Sequence, residues 1–589
     1  MRKKQNLKNI KACLRNLNKN SGEEDVIYMN PKKMPYGISN YEKIVNDGYY
    51  YVDKTMYIEK LENLPETSIM FLRPRKFGKT LFTSVIENYY DKKKEDKFEL
   101  LYKDTYIGKN PTKNKNSYCI LRFNFSGIDT ETEETTIRGF KNEVASSIEV
   151  FSHRYNLDFY VNKEDDAESI LDNLFKSFYV QKSMEKIYVI IDEYDHFANE
   201  LLGFNPEQFR GLVSKNGKVR KWYEILKKGT ETVVDRIFIT GVAPITLDSL
   251  TSGFNIGTDI TQDKDFNDML GFTGDELKEI LCNQNISDGE QEKIIPIMKE
   301  NYDGYKFSLN AQNQIYNSNM CLYFLSRYIR LGEIPERLVD MNIASDYSKI
   351  GKMLDLCKGE NKLEILRKTV QGEAITSVLV EKFNPAIEFT ETDMISMLYY
   401  LGYLTISGEL VGVPELVIPN KVMKEIYADY FMQLMNQEAE FRIDNSANQE
   451  ILIQLAKEGR IDKIVEILRI YLNNLSNRDL IKFDEKYIKL IFYCIAMNIK
   501  AYWVKSEMEV NRNYPDLLLV PRDRTKGYKS IMVEFKYLKK GENAKLEDKQ
   551  NEAREQIERY CTFEEIKNIE GLRKYTMVVA GNEIFVEEI

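Results

Sequence analysis

Between residues 36 and 268 the chain alternates short, nearly unbroken apolar runs with stretches whose apolar positions recur every three or four residues. The runs at 68–72, 120–125, 187–191 and 237–240 are rich in β-branched and aromatic residues. Strands buried on both faces of a parallel sheet have this pattern, because neither face has to meet water. An α/β layered unit over 31–270 is therefore predicted. Helical periodicity then takes over, broken by a strand-turn-strand pattern at 403–418. It predicts a helical lid over 271–345 and a winged-helix-like module over 346–440. Ile451, Leu455, Ile464, Leu468 and Leu472 keep helical spacing and predict a helical connector over 441–480. From 481 to 589 the pattern gives a helix at 485–497, apolar runs at 502–504, 517–520 and 530–535, a helix at 553–560 and a last run at 575–580. This is a second α/β unit, so the fold class is multidomain α/β.

A chain of 589 residues exceeds what one core can organise, in keeping with several units. Hydrophobic residues at 43% and charged residues at 30% describe a globular rather than a disordered protein. The net charge of −9 argues against a surface uniformly attractive to nucleic acid and leaves room for local patches. The seven cysteines are scattered and form no C-x-x-C pair, which fits free thiols in a reducing cytosol rather than a structural zinc site. With two histidines in the chain, a metal would be held by carboxylates, which favours magnesium or manganese. No apolar run approaches the length needed to span a bilayer and no secretory signal opens the chain, so no membrane partner and a cytoplasmic location are expected. Residues 1–30 form a basic extension, with seven Lys or Arg and no acid in the first twenty positions.

Directly after the first apolar run come Arg73, Pro74, Arg75, Lys76, Phe77, Gly78, Lys79 and Thr80. The last three match the end of the phosphate-loop pattern G-x-x-x-x-G-K-[ST], in which backbone N–H groups and a helix N-terminus face the phosphates. Arg73 stands where the first glycine would be, so the loop would turn with Pro74, and extra cations are expected beside the phosphates. Lys79 would reach the β- and γ-phosphates and Thr80 would ligate magnesium. The run at 187–191 ends in Asp192 and Glu193. That arrangement places one carboxylate on the magnesium shell and the next on the attacking water. Thr240, at the end of the following run, is a candidate γ-phosphate sensor. Asn162, Lys163 and Asp165 match a guanine-reading N-K-x-D but precede the acidic strand, so ATP is preferred over GTP. Asp263, Asp265 and Asn267 begin like a calcium loop, but Asp268 and Gly274 hold the positions that need glycine and glutamate, which excludes that site.

Near the C-terminus, Asp516 opens an apolar run, and Glu534 and Lys536 lie two apart on another. Period-two geometry puts that last pair on one strand face. Two carboxylates beside a lysine can bind magnesium, or manganese, and orient water for attack on a phosphodiester. Glu485 on the preceding helix is a further candidate ligand, and Gln556 on the following helix a candidate orienting group. Residues 481–550 hold fifteen Lys or Arg against ten Asp or Glu, as a phosphate-binding face requires.

With these motifs in place, the chain resembles the bacterial AAA-ATPase-like family whose members carry a C-terminal PD-(D/E)XK nuclease-like domain. The resemblance rests on Tyr50-Tyr-Val-Asp-Lys-Thr55, the loop 73–80, Asp192-Glu-Tyr-Asp195, Ile239-Thr-Gly-Val-Ala-Pro244, Ser252-Gly-Phe-Asn255, Tyr302-Asp-Gly-Tyr305, Met397-Leu-Tyr-Tyr-Leu-Gly-Tyr403, Pro515-Asp516, Glu534-Phe-Lys536 and Gln556-Ile557. It implies a P-loop NTPase sheet, a restriction-endonuclease-like domain over 481–589, and Asp516, Glu534 and Lys536 as a nuclease triad. Arg73 is then a family-like variant of the loop. The expected function is an ATP-binding and ATP-hydrolysing protein that regulates a magnesium-dependent nuclease site acting on DNA, in defence against foreign nucleic acid. The alternatives are a switch-type signalling ATPase whose nuclease-like domain only binds nucleic acid or a partner, and an ATP-driven DNA remodeller that does not cut. A homo-oligomer is compatible with Arg75, Arg210 or Arg220 acting across a subunit boundary, and the sequence selects none of the three.

Overall fold

The computed structural model describes residues 31–196, 217–244, 257–335, 337–340, 362–383, 389–475, 485–499, 501–506, 515–538 and 542–589. The basic extension, Arg210 and the motif at 252–255 lie outside the described residues.

Five strands, β1 (Ser68–Leu72), β2 (Cys119–Asn124), β3 (Ile187–Asp192), β4 (Val234–Gly241) and β5 (Thr258–Asp259), form one sheet in the order β2-β3-β4-β1-β5. Every neighbouring pair is parallel. All six residues of β3 are buried, because helices cover both faces. On one face α1 (Lys79–Tyr90) packs with Ile69, Phe71, Tyr188, Ile190 and Phe238. On the other, α2 (Glu133–Tyr155), α3 (Ala167–Gln181) and α4 (Lys218–Gly229) meet Leu121, Val189, Ile191 and Ile237. There Trp222 of α4 is wholly buried, edge-on to Phe123, Phe125 and Phe140. The chain leaves β1 for the far edge at β2 and returns through β3 and β4, so β1 sits beside β4. This reversal opens a crevice at the C-terminal ends of β1, β3 and β4, where such sheets bind ligands.

The middle region carries α5 (Gly274–Asn283), α6 (Asp288–Tyr302), α7 (Ser318–Leu331), α8 (Lys362–Gln371) and α9 (Glu391–Tyr400). Capping boxes start α5 at Thr273 with Glu276 and α9 at Thr390 with Asp393. Three strands, β6 (Ile375–Thr376), β7 (Thr405–Leu410) and β8 (Val413–Val417), make an antiparallel sheet ordered β6-β8-β7. The β7–β8 turn uses Val411 and Gly412, both at positive φ, as a two-residue hairpin requires. Helices α10 (Lys421–Glu438) and α11 (Asp462–Leu475) lead on.

In the last region α12 (Glu485–Asn498) precedes β9 (Tyr502–Ser506), β10 (Leu517–Pro521), β11 (Ser530–Leu538), α13 (Leu546–Tyr560), β12 (Leu572–Ala580) and β13 (Glu583–Glu588). The sheet is mixed: β11 and β12 run parallel across the α13 connection, and the other neighbours are antiparallel. Leu518 and Met532 pack on Ile557 and Tyr560 of α13, whereas Phe492 of α12 meets Phe535 on the opposite face. The last apolar run predicted from the sequence, 575–580, lies in β12. An edge strand, β13, follows it through a turn at Gly581 and Asn582, and only Ile584 of β13 is buried. One core cluster runs from Val189 of the first sheet through Leu398 and Phe431 to Phe492 and Phe535 of the last, so the three regions share packed side chains. Among the described residues no helix is long and apolar enough to cross a membrane.

Candidate functional site

The loop after β1 takes its shape from two left-handed residues, Lys76 at φ 70° and Gly78 at φ 100°, the second starting α1. Its backbone is fastened at both ends. The Arg73 amide donates to the Gly241 carbonyl at 3.1 Å, and the Asn319 amide and Ser318 hydroxyl donate to the Lys76 carbonyl at 3.3 and 3.4 Å. The Gly271 amide donates to the Phe77 carbonyl at 3.2 Å. Lys79 Nζ donates to the carbonyls of Arg73 and Pro74 at 3.0 and 3.2 Å and lies 3.9 Å from the Glu193 carboxylate.

Asp192 ends β3 on the face that carries Tyr188 and Ile190, which is also the face of α1, so strand parity aims it at Thr80. Burial raises its pKa, opposed by the cations of Arg122 and Lys79 and by a hydrogen bond with Thr80. Glu193 sits at φ 54°, a conformation that non-glycine residues hold only when their surroundings enforce it. Asp195 accepts from the amides of Val242 and Ala243 at 2.9 and 2.7 Å, which fixes the end of β4. Asp192 Oδ1 and Thr240 Oγ1 are both buried without a hydrogen-bond partner. The unpartnered Asp192 oxygen, beside Thr80, is the kind of hard donor that a magnesium ion and its waters satisfy, and the Thr240 hydroxyl is left for a further polar partner. A cavity of about 470 Å³ opens above the loop, lined by Arg75 to Thr80, Glu193 and His196 on one side. Its other wall is largely apolar and includes Ile38, Tyr50, Val52, Leu270, Phe272 and Leu322.

In the last region, alternation along β11 puts Glu534 and Lys536 on one face, and their side chains pair at 3.1 Å. Asp516, just before β10, accepts from the Phe535 amide at 2.8 Å. Its own amide points at Glu534 Oε2, 3.4 Å away. Burial, then the charge of Asp516, pushes the Glu534 carboxyl up to about 7 against the pull of Lys536. Gln556 is on α13 with its Oε1 buried and unpartnered. One turn on, Tyr560 feels the charges of Glu534, Asp516 and Lys489 and is raised to about 12, chiefly by burial. An Asp–Glu pair with an unpartnered amide oxygen on the neighbouring helix suits magnesium, which commonly takes one or two protein carboxylates and keeps its waters.

Residues 35–251 match the family described as predicted AAA-ATPase, and residues 483–589 match the PD-(D/E)XK nuclease superfamily. The chain carries both domains. It is also similar, at 25% identity over 306 residues, to an uncharacterized protein in the vnfD 5′ region of Azotobacter chroococcum mcd 1. That match covers 51% of this chain and 54% of the relative, so the chain spans about half the length of the curated protein it matches.

Within the ATPase-like domain, Arg73 is a correction. Its guanidinium does not reach the cavity: it is buried, donates to the carbonyls of Leu72, Thr261 and Phe266 at 2.8, 2.8 and 3.0 Å, and stacks 4.2 Å from the rings of Phe71 and Phe307. Desolvation lowers its pKa to about 10. The Phe77 ring likewise packs inward, edge-on to Tyr305 and Phe307, and Pro74 abuts Gly402, where an added Cβ would lie 2.8 Å from the proline ring. Arg75 lines the cavity of its own chain, and Arg220 pairs with Glu224 at 3.0 Å. Sequence reasoning missed Arg122, which joins Asp192 at 3.3 Å to Glu87 at 2.8 Å. A lone cation inside a buried strand was the available signal.

In the nuclease-like domain, sequence reasoning missed Lys489. It forms an ion pair with Asp516 and lies 3.3 Å from Glu485, four residues earlier on α12. Glu485 thus meets a lysine rather than joining the carboxylate pair. Among the described residues no group of three or more His, Cys, Asp or Glu is close enough to hold a metal ion.

Proposed function

We propose that the ATPase-like domain binds and hydrolyses ATP and thereby controls a magnesium-dependent phosphodiesterase, a nuclease, at Asp516, Glu534 and Lys536. The observation that carries this reading is the attachment of the nucleotide loop to the region that also grips the nuclease-like domain. Phe77 is clamped by Tyr305 and Phe307. In the same segment, the Asp303 carbonyl accepts from Asn420, the residue that caps α10. Residues of α10 then reach the last sheet, where Glu425 pairs with Arg522 at 3.3 Å. Residues 271–345 serve as the lid and residues 346–440 as the winged-helix-like module in this scheme, with 441–480 as the connector.

Lys79 leaves the loop carbonyls for the phosphates, and Arg75, Lys76, Phe77 and Gly78 frame them. Thr80 and Asp192 hold magnesium, which neutralises phosphate charge when bound. Glu193 orients the attacking water and Thr240 senses the γ-phosphate. At the second site Asp516 and Glu534 hold the ion, and Lys536 stabilises developing charge on the phosphodiester. Gln556 orients the pair. Defence against foreign DNA is the role such control would serve.

The second reading, a switch-type signalling ATPase whose nuclease-like domain only binds nucleic acid or a partner, gains support from the lysine on Asp516. Incubating wild type, Lys79→Ala and Glu534→Ala with single- and double-stranded DNA or RNA, magnesium or manganese, and ATP separates the two. Cleavage by wild type that is lost in Glu534→Ala supports the nuclease. Equal products from both proteins, or none from either, leave the switch.

A further inference from the structure

The carboxylate site of the nuclease-like domain already contains two fixed cations, and they are not equivalent. Lys536 shares β11 with Glu534 and is almost fully enclosed, its side chain 9% exposed. Lys489 comes from α12, on the opposite wall, and its side chain is 17% exposed. Around it α12 is apolar: Tyr487, Ile488, Leu490, Ile491, Phe492 and Tyr493 are all buried. A lysine in such a helix is aimed by its surroundings, and this one has two acceptors, Asp516 and Glu485.

We propose that Lys489 is a built-in counter-cation of this site, one that holds Asp516 in place and must yield its carboxylate when a divalent ion binds. The proposal rests on the magnesium reading given above. Asp516 Oδ2 is committed to the Phe535 amide, and Oδ1 carries the ammonium. Oδ1 is the oxygen that no amide holds, so a divalent ion drawn to Asp516 and Glu534 would compete there with the Lys489 ammonium, and two cations at one carboxylate oxygen repel strongly in a poorly solvated pocket. Glu485 gives the displaced ammonium a second partner on its own helix, four residues away and 36% exposed at its side chain. Lys489 in this way keeps two buried carboxylates tolerable without metal and sets how much free divalent ion the site needs.

Two measurements on the full chain test this. Calorimetric titration with magnesium or manganese should show Lys489→Met binding roughly tenfold more tightly than wild type, while Lys489→Arg, which keeps the charge, stays close to wild type. In the wild-type protein, whose fold is not in question, mass-spectrometric mapping of acetylation should show Lys489 modified several-fold faster once magnesium is added, and Asp516→Asn should abolish that increase. Equal affinities of wild type and Lys489→Met, or acetylation of Lys489 that metal leaves unchanged in a protein that binds it, overturn the counter-cation while the metal site stands. Absence of binding to both wild type and Lys489→Met overturns the magnesium reading itself, and the counter-cation with it.

Discussion

The ammonium of Lys421 lies 3.6 Å from the centre of the Trp503 ring, and the guanidinium of Arg522 lies 4.5 Å from the same ring. Lys421 begins α10 and Trp503 belongs to β9, so an indole in contact with two cations joins the middle region to the nuclease-like domain. Glu300 of α6 approaches Lys421 at 3.4 Å.

This junction predicts a pH dependence with a definite sign. Burial lowers the Lys421 pKa to about 8 from the ordinary 10.5, with Glu300 the largest opposing influence. Between those values the unfolded chain holds more of this proton than the folded one, so this group makes stability rise with pH across that window. Below pH 8 the lysine is charged in both states and its cost is fully present. Urea unfolding of wild type at pH 8 and pH 10, set against Lys421→Met, should show a wild-type rise on the order of 1–2 kcal/mol that the variant lacks.

Restoring the usual glycine of the phosphate loop should harm this protein. Arg73→Gly removes the guanidinium from the carbonyls of Leu72, Thr261 and Phe266 and leaves a void between Phe71 and Phe307. A loss of about 3 kcal/mol or more is expected by chemical denaturation. An unchanged midpoint would mean that the buried cation contributes nothing net.

Gly402→Ala should disturb the nucleotide loop from over three hundred positions away. The glycine is at φ 83°, and a Cβ there would overlap Pro74. Gly412→Ala is the control, since Gly412 has a similar φ of 79° with nothing within 4 Å. Both variants carry the backbone strain of about 1 kcal/mol, but only Gly402→Ala should also weaken ATP binding in equilibrium dialysis.

Glu193→Gln keeps the shape of the left-handed residue facing Lys79 and removes its charge. ATP should still bind, while hydrolysis falls by about 10²-fold or more. Hydrolysis at the wild-type rate would remove Glu193 from the role of base.

The strands around the nucleotide loop could be read from sequence because their signal is local. A strand buried on two faces must be apolar throughout, and parity alone aims Asp192 at α1. The direction of Arg73 could not be read so. Whether its cation faces phosphate or core is decided by Thr261, Phe266 and Phe307, which are distant in sequence and meet Arg73 only through tertiary packing. Lys489 was hidden for a related reason: α12 reads as one apolar helix, and only its docking against β10 brings the lysine to Asp516. The strand β13 escaped because three of its six residues are glutamates, as befits an edge, although Gly581-Asn582 marked the turn before it.

The chain has two tryptophans, and the fold assigns them to different places. Trp222 is sealed among the phenylalanines beneath the first sheet, whereas Trp503 touches two cations at the junction. An indole beside charged groups changes its emission when they move. The fluorescence of the Trp222→Phe protein thus records at one position, without an attached dye, whether a nucleotide held at Lys79 is felt at the sheet that carries Asp516.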